Sequence, residues 1–277
     1  MIGVIGGSGI YNLDNFNITS TQEVSTPFGS PSDKVMLGEL NGAEIAFIPR
    51  HGIGHRLLPH EVPYQANVFA LKKLGARALI SVSAVGSMRQ EIHPGDILIP
   101  DQFIDRTMGR ASTFFGDGLV GHVSVSNPVS PELAQHFSEV IAGEDIRCHQ
   151  RGTYVCIQGP AFSTRAESEL YRTWNVDVIG MTACPEFKLA REAQLHYMTL
   201  ALVTDYDCWH SEEEDVSAES VIQTLNKNSA NVKRVLTKSL PSLEKSLSHL
   251  NTLENALMSD PDLLSKAQQE LLDILKQ

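Results

Sequence analysis

The segment IPRHGIGHRLLPH concentrates Arg50, His51, His55, Arg56 and His60 just after an apolar run, in a chain whose formal net charge is −11. A guanidinium can fork onto two oxygens of an oxyanion while an imidazole donates to a third, so Arg50 with His51 reads as a phosphate cradle. For any single histidine the bland alternative is a solvated loop residue. The concentration of cationic donors in an acidic chain favours the cradle. Metal binding by His51 and His55 is possible in principle, but no nearby carboxylate or third histidine completes a set. A second chemistry lies in DYDCWHSEEEDVS, where Asp205 and Asp207 follow a strongly apolar run. Residues two apart on an extended chain face the same way. Such a pair could bind a metal, work as acid and base, or hydrogen-bond a polar heterocycle; the alternative is a capping or solvated loop pair. The acidic run from Glu212 to Asp215 reads as a solvated face or a helix start.

Two segments of small residues could complete an anion site. MIGVIGGSG places Gly6, Gly7, Ser8 and Gly9 after an apolar run. A dinucleotide-binding fingerprint needs another glycine three places after Gly9, where Asn12 stands, so the fingerprint fails. Backbone N–H groups and the Ser8 hydroxyl could still approach an anion there, against the alternative of a simple turn. ISVSAVGS offers Ser83, the Ala84 N–H and Gly86 at the next strand end, as a third wall.

The elements that must position these residues are legible as short apolar runs: MIGVIG, EIAFIP, ALISVS, DILIPD, TYVCIQ, VDVIGM and YMTLALVTD. Runs apolar throughout imply burial on both faces. PYQANVFALKKLG, RAESELYRTW and PEFKLAREAQ have helical spacing, and the pattern from about Val216 onward is helical. Strands alternating with helices predict an α/β fold in one domain, with a mostly parallel or mixed central sheet covered on both sides. In such folds ligands sit beyond the carboxyl ends of strands, where GGSG, RHG, AVGS and DYDCW all fall. The stretch from Asn251 to the end reads as a helical appendage. Ser259 or Asp260 would cap it, Pro261 would fill its first turn, and Leu263, Leu264, Ala267, Leu271, Leu272 and Leu275 would form an apolar stripe facing either the parent subunit or an oligomer contact.

Composition narrows the function classes. With 277 residues, 42% hydrophobic and 20% charged, the chain can build an ordinary soluble core. Its acidity argues against nucleic acid or an anionic membrane as main partner. Cys148, Cys156, Cys184 and Cys208 form neither a CxxC pair nor a ligand cluster, which reads as free thiols in a reducing compartment. No signal peptide or bilayer-spanning run is visible, so a cytoplasmic location is expected.

GGSGIY, TPFGSPSD, PRHG, PHEVPYQAN, SAVGS, PGDILIPDQFIDRT, QGPAFSTRAE, GMTACPE and TDYDCW, in this order, closely resemble the S-methyl-5′-thioadenosine phosphorylases of the trimeric purine nucleoside phosphorylase family, over roughly residues 1–240. The resemblance implies the nucleoside phosphorylase fold, with a twisted, partly barrel-like mixed sheet flanked by helices (residues 1–250, with 251–277 as appendage). It implies a homotrimer with active sites near subunit interfaces, leaving open whether trimers pair into hexamers. The implied reaction uses phosphate as co-substrate, without metal or organic cofactor: methylthioadenosine and phosphate give adenine and 5-methylthioribose-1-phosphate. Motif by motif, Ser8, Arg50, His51, Ser83, Ala84 and Thr182 resemble phosphate contacts. Met181 resembles the ribose contact, Phe162 and Ser163 purine-pocket residues, and Asp205 and Asp207 the base-recognition carboxylates. Val221 and Ala218 resemble positions beside the methylthio group, and His122 a histidine reaching that end from a neighbouring subunit.

The chain departs from its relatives in places. Ser8 and Ser83 stand where threonine is frequent, which keeps the hydroxyl. Ala161 stands where arginine is frequent, and no counterpart is aligned for the tail beyond Asn251. Carboxylates at 205 and 207 suit a 6-aminopurine, whose N6–H groups they accept, over a 6-oxopurine. A protonated Asp205 could also supply the proton at purine N7. The competing readings are a broader purine nucleoside phosphorylase or a methylthioinosine phosphorylase, a hydrolase using water, and a nucleoside-binding sensor without turnover.

Overall fold

The computed structural model describes residues 1–7, 15–210, 217–243 and 247–277. The strands are β1 (Ile2–Gly6), β2 (Phe16–Gln22), β3 (Val35–Leu40), β4 (Ala43–Pro49), β5 (Ala78–Ser87), β6 (Ile97–Ile99), β7 (Gln102–Arg106), β8 (Cys148–Gln150), β9 (Thr153–Ile157), β10 (Val178–Gly180) and β11 (His196–Asp205). The helices are α1 (Tyr64–Lys73), α2 (Pro131–Ala142), α3 (Arg165–Thr173), α4 (Glu186–Glu192), α5 (Ala218–Leu243) and α6 (Lys266–Leu275). All strands join one mixed sheet in the order β2-β3-β4-β1-β5-β10-β9-β7, with β11, β6 and β8 continuing from the other side of β5. β2, β7 and β8 each pair on one side only, so the sheet stays open where a partly barrel-like sheet was expected. Helices flank it: α1 packs with α4 and α6, and α2 with α5.

β5 is the pivot. It runs parallel to β1 from Ala78 to Val82 and parallel to β11 along nearly its whole length. Its far end, at Gly86 and Ser87, pairs antiparallel with β10. Between the end of β1 and the start of β10, residues 83–85 have no strand partner on that side among the described residues. This is a switch point, where an open α/β sheet leaves a crevice. SAVGS is therefore strand interior, not the loop expected, because β11 continues to pair with it. The apolar strands are buried on both faces, as their composition demands: β1 throughout, and β11 up to Thr204.

The runs expected as strands all contain one. β2, β3, β7, β8 and α2 were not anticipated. β2 is an exposed edge strand, FNITSTQ, without an apolar run to mark it. α2 carries a readable start, Ser130 capping Leu133 N–H with Pro131 at the first position. The tail also differs from expectation. Ser265 caps α6 through a capping box with Gln268, whereas Asp260 caps only a short 3₁₀ turn at Pro261–Leu263. Leu272 and Leu275 are buried against the parent chain, while Leu263 is 83% exposed. No described helix is long and apolar enough to cross a membrane.

Candidate active site

β4 ends level with β1, Pro49 pairing with Gly6, and the Arg50 N–H extends the pairing to the Gly6 carbonyl at 2.9 Å. Arg50 and His51 thus emerge at the crevice beside the open edge of β5. A cavity of about 410 Å³ fills it. Its lining includes Arg50, His51, Ser83, Ala84, Phe162, Ser163, Met181, Thr182, Asp205, Asp207 and Val221, so eleven of the fourteen expected residues converge from six separate segments. Ser8 lies outside the described residues, as does the 212–215 run, and the side chain of Ala218 is likewise outside them. His122 is exposed and does not line its own chain's cavity; its N–H donates to the Ala256 carbonyl of the tail at 2.8 Å.

The end lined by Arg50 and His51 differs in chemistry from the cradle expected there. Arg50 is only 1% exposed. Its guanidinium fork rests on Glu186, Nε donating to Oε2 at 3.0 Å and Nη2 to Oε1 at 3.2 Å. Nη2 also reaches Ser81 Oγ at 2.8 Å and the Ile5 carbonyl at 3.2 Å, and Nη1 donates to the Val82 carbonyl at 2.9 Å. Of five guanidinium hydrogens, one on Nη1 remains without a partner among the described residues. The fork expected to be free for an oxyanion is occupied and a single donor is left, because a buried cation needs its own counterion. His51 has Nδ1 2.9 Å from the Leu57 carbonyl, so Nδ1 carries the proton and donates. Burial, then the Arg50 charge, lowers its pKa to about 4, leaving a neutral ring whose Nε2 is an acceptor. The expected imidazole donor to an anion thus needs a proton brought with the ligand. His55 stacks on His51 with ring centroids 4.4 Å apart and shares the cavity. Arg56 instead turns to Ser32 and Asp33, and His60 lines a separate, smaller pocket, so the cationic cluster divides.

Ser83 and Thr182 complete this end, backed by the fully buried Tyr154, whose hydroxyl adjoins the Ser83 side chain and the Thr182 backbone. Among the described residues Ser83 Oγ has no hydrogen-bond partner of regular geometry and keeps capacity for a ligand; Ser163 Oγ is buried and, among them, unpartnered in the same way. Gly180 has to be glycine, since a Cβ there would overlap the Tyr154 hydroxyl. Arg110, missed in the sequence, ties the loops together. Its Nη1 donates to the carbonyls of Met181 at 2.8 Å and Cys184 at 2.6 Å, and its Nη2 to that of Gln158 at 2.8 Å.

At the other end, the pairing of Asp205 and Asp207 has a different origin from an extended chain. Asp205 closes β11 after a register shift, and Asp207 begins a 3₁₀ turn at φ 51°. The turn brings the Asp207 N–H onto Asp205 Oδ1 at 2.8 Å, while the Thr204 hydroxyl donates to Oδ2 at 2.7 Å. Ser168 Oγ donates to Asp207 Oδ2. Burial is the main cause raising both carboxyl pKa values; the Asp207 charge adds to it for Asp205, and the donors oppose it. Gly86 gives the pair its room, because a Cβ would lie 2.7 Å from Asp205 Oδ1. Val221, Ile222 and Leu225 of α5 close the cavity with an apolar wall. The site thus offers dipolar donors at one end, two buried carboxyl groups with raised pKa values at the other, and a hydrocarbon flank. Among the described residues no three His, Cys, Asp or Glu side chains cluster as a metal site.

Comparisons with known proteins show the family. Residues 1–241 match the phosphorylase superfamily. The S-methyl-5′-thioadenosine phosphorylase of Synechocystis is 50% identical over 281 aligned positions, covering 99% of this chain and 86% of that one. A methylthioadenosine phosphorylase from an antarctic soil metagenomic library superposes with TM-score 0.93 at 48% identity, covering 99% of this chain and 98% of the other. The Schistosoma mansoni methylthioadenosine phosphorylase bound to adenine superposes with TM-score 0.82 at 36% identity, covering 86% and 90%. The first two matches run through the tail, so the segment beyond Asn251 does have counterparts. The chain belongs to the phosphorylase superfamily and, within it, to the S-methyl-5′-thioadenosine phosphorylases.

Proposed function

We propose that this enzyme cleaves S-methyl-5′-thioadenosine with inorganic phosphate, giving adenine and 5-methylthioribose-1-phosphate. The observation that carries the reading is the single cavity that joins Arg50, His51 and Ser83 at one end to Asp205 and Asp207 at the other. The bond between purine N9 and ribose C1′ breaks, a phosphate oxygen bonds to C1′, and the proton of hydrogen phosphate ends on adenine. Positive charge grows on the sugar and negative charge on the leaving base. Phosphate, held by the Arg50 Nη1 hydrogen, the Ser83 hydroxyl, the Ala84 N–H and Thr182, lies against the first; Ser8 belongs to this set by its motif. Holding the reactants in place is a major part of the acceleration. His51 Nε2, with its lone pair, accepts the hydrogen of hydrogen phosphate. Asp205, whose pKa burial and the Asp207 charge raise, donates its proton to N7 and regains one in the cycle from the proton that hydrogen phosphate gives up, while its other oxygen, or Asp207, accepts from N6–H.

Phe162 and Ser163 border the base, and Met181 the ribose. Val221 on α5 flanks the methylthio group, where Ala218 belongs by its motif, with His122 coming from a neighbouring subunit of a cytoplasmic homotrimer. The exposure of His122, away from its own cavity, supports that assignment.

The test is adenine release from methylthioadenosine, adenosine and inosine with and without phosphate, alongside mass measurement of the assembly. Phosphate-dependent release fastest with methylthioadenosine is expected. Release without phosphate would make it a hydrolase, preference for inosine a purine nucleoside phosphorylase, and binding without turnover a sensor.

A further inference from the structure

A buried residue with no assigned part in the reaction, Glu186, holds an ion pair behind the cavity. It opens α4 and is completely buried. Both its oxygens receive the Arg50 fork, and the Tyr197 hydroxyl, itself 2.7 Å from Thr199 Oγ1, donates to Oε1 at 3.3 Å. The Arg50 charge is matched by Glu186 and the Nδ1–H of His51 is engaged by the Leu57 carbonyl, so neither residue turns an uncompensated charge to the cavity; the charge of Arg110 lies behind it, its Nη donors spent on loop carbonyls.

Resting on the function proposed above, we infer that Glu186 is a positioning residue for phosphate: it occupies the Arg50 fork and cancels its charge, so that phosphate is held by N–H and O–H dipoles and is readily exchanged. A buried guanidinium with no carboxylate would treat phosphate as its sole counterion and retain it. With Glu186 in place, two anions compete for one cation, and phosphate and its ester product are held loosely enough to turn over. The fork also fixes the guanidinium plane, which aims the remaining Nη1 hydrogen.

The test is Glu186→Gln, assayed for the KM of each substrate separately and for the rise in Tm with added phosphate. The carbonyl of glutamine keeps one fork bond while the charge is lost. The phosphate KM is expected to fall at least threefold, the methylthioadenosine KM to stay within twofold, and phosphate to raise the variant's Tm more than the wild type's. A role in folding alone would move both KM values together. An unchanged or raised phosphate KM, or parallel shifts in both, overturns the inference. Should Glu186→Gln fail to fold, Glu186→Asp carries the test. Its carboxylate is drawn back by one methylene, and the phosphate KM alone should change at least twofold; equal changes or none overturn the inference. Absence of phosphate-dependent turnover in the wild type would instead refute the proposed function itself.

Discussion

Asp205→Asn separates base recognition from architecture. In the wild type, Oδ1 accepts the Asp207 N–H at 2.8 Å and Oδ2 accepts the Thr204 hydroxyl at 2.7 Å. An asparagine carbonyl keeps the first bond. Its NH₂ then donates to Thr204 Oγ1, whose hydrogen turns to the Val85 carbonyl at 3.2 Å. The fold loses about 1 kcal/mol of hydrogen bonding and regains part of it by removing a buried carboxyl, so Tm should change by only a few degrees. Catalysis changes more. Losing the acid at N7 should lower kcat for methylthioadenosine by roughly 10²–10⁴. The new N–H suits a 6-oxo group and opposes a 6-amino group. At about 1–3 kcal/mol for an unpaired buried group, the ratio of kcat/KM for methylthioadenosine to that for inosine should fall by about 5- to 150-fold. The assay is initial-rate kinetics on both nucleosides at saturating phosphate, with Tm recorded on the same preparations. A folded variant with an unchanged ratio would refute the placement of the base against Asp205.

Asp207→Asn tests burial of the second carboxyl by its pH dependence. Because burial raises the folded pKa, this group's contribution to stability is fullest below the ordinary carboxylate range and is lost as pH rises through the folded value. The Tm of the variant relative to wild type should therefore climb between acid and neutral pH, and a flat difference would count against it. Gly180→Ala should destabilise by about 1–3 kcal/mol through overlap with Tyr154, and Tyr154→Phe in the same chain should recover part of that in urea unfolding. Leu275→Ala should cost about 2–5 kcal/mol, because the tail leucine is fully buried on its own subunit; a neutral result would place its partner elsewhere.

Much of this was legible in the residues themselves. β1, β4, β5 and β11 announced themselves because strands buried on both faces must be apolar throughout, and the chemistry-bearing tokens fall at or near their ends. Edge strands such as β2 gave no such signal, since one exposed side tolerates Asn, Thr, Ser and Gln. Arg50, His51, Asp205 and Asp207 could be singled out by type and spacing, but their working states could not. The fork of Arg50 is claimed by a glutamate 136 positions away, the tautomer of His51 by a loop carbonyl, and the orientation of Asp207 by a left-handed turn. Apolar periodicity is a local property, and a chain displays it before folding. Hydrogen-bond partners, burial and hence protonation belong to whichever groups the tertiary structure brings within 3 Å, and only the folded sheet decides those.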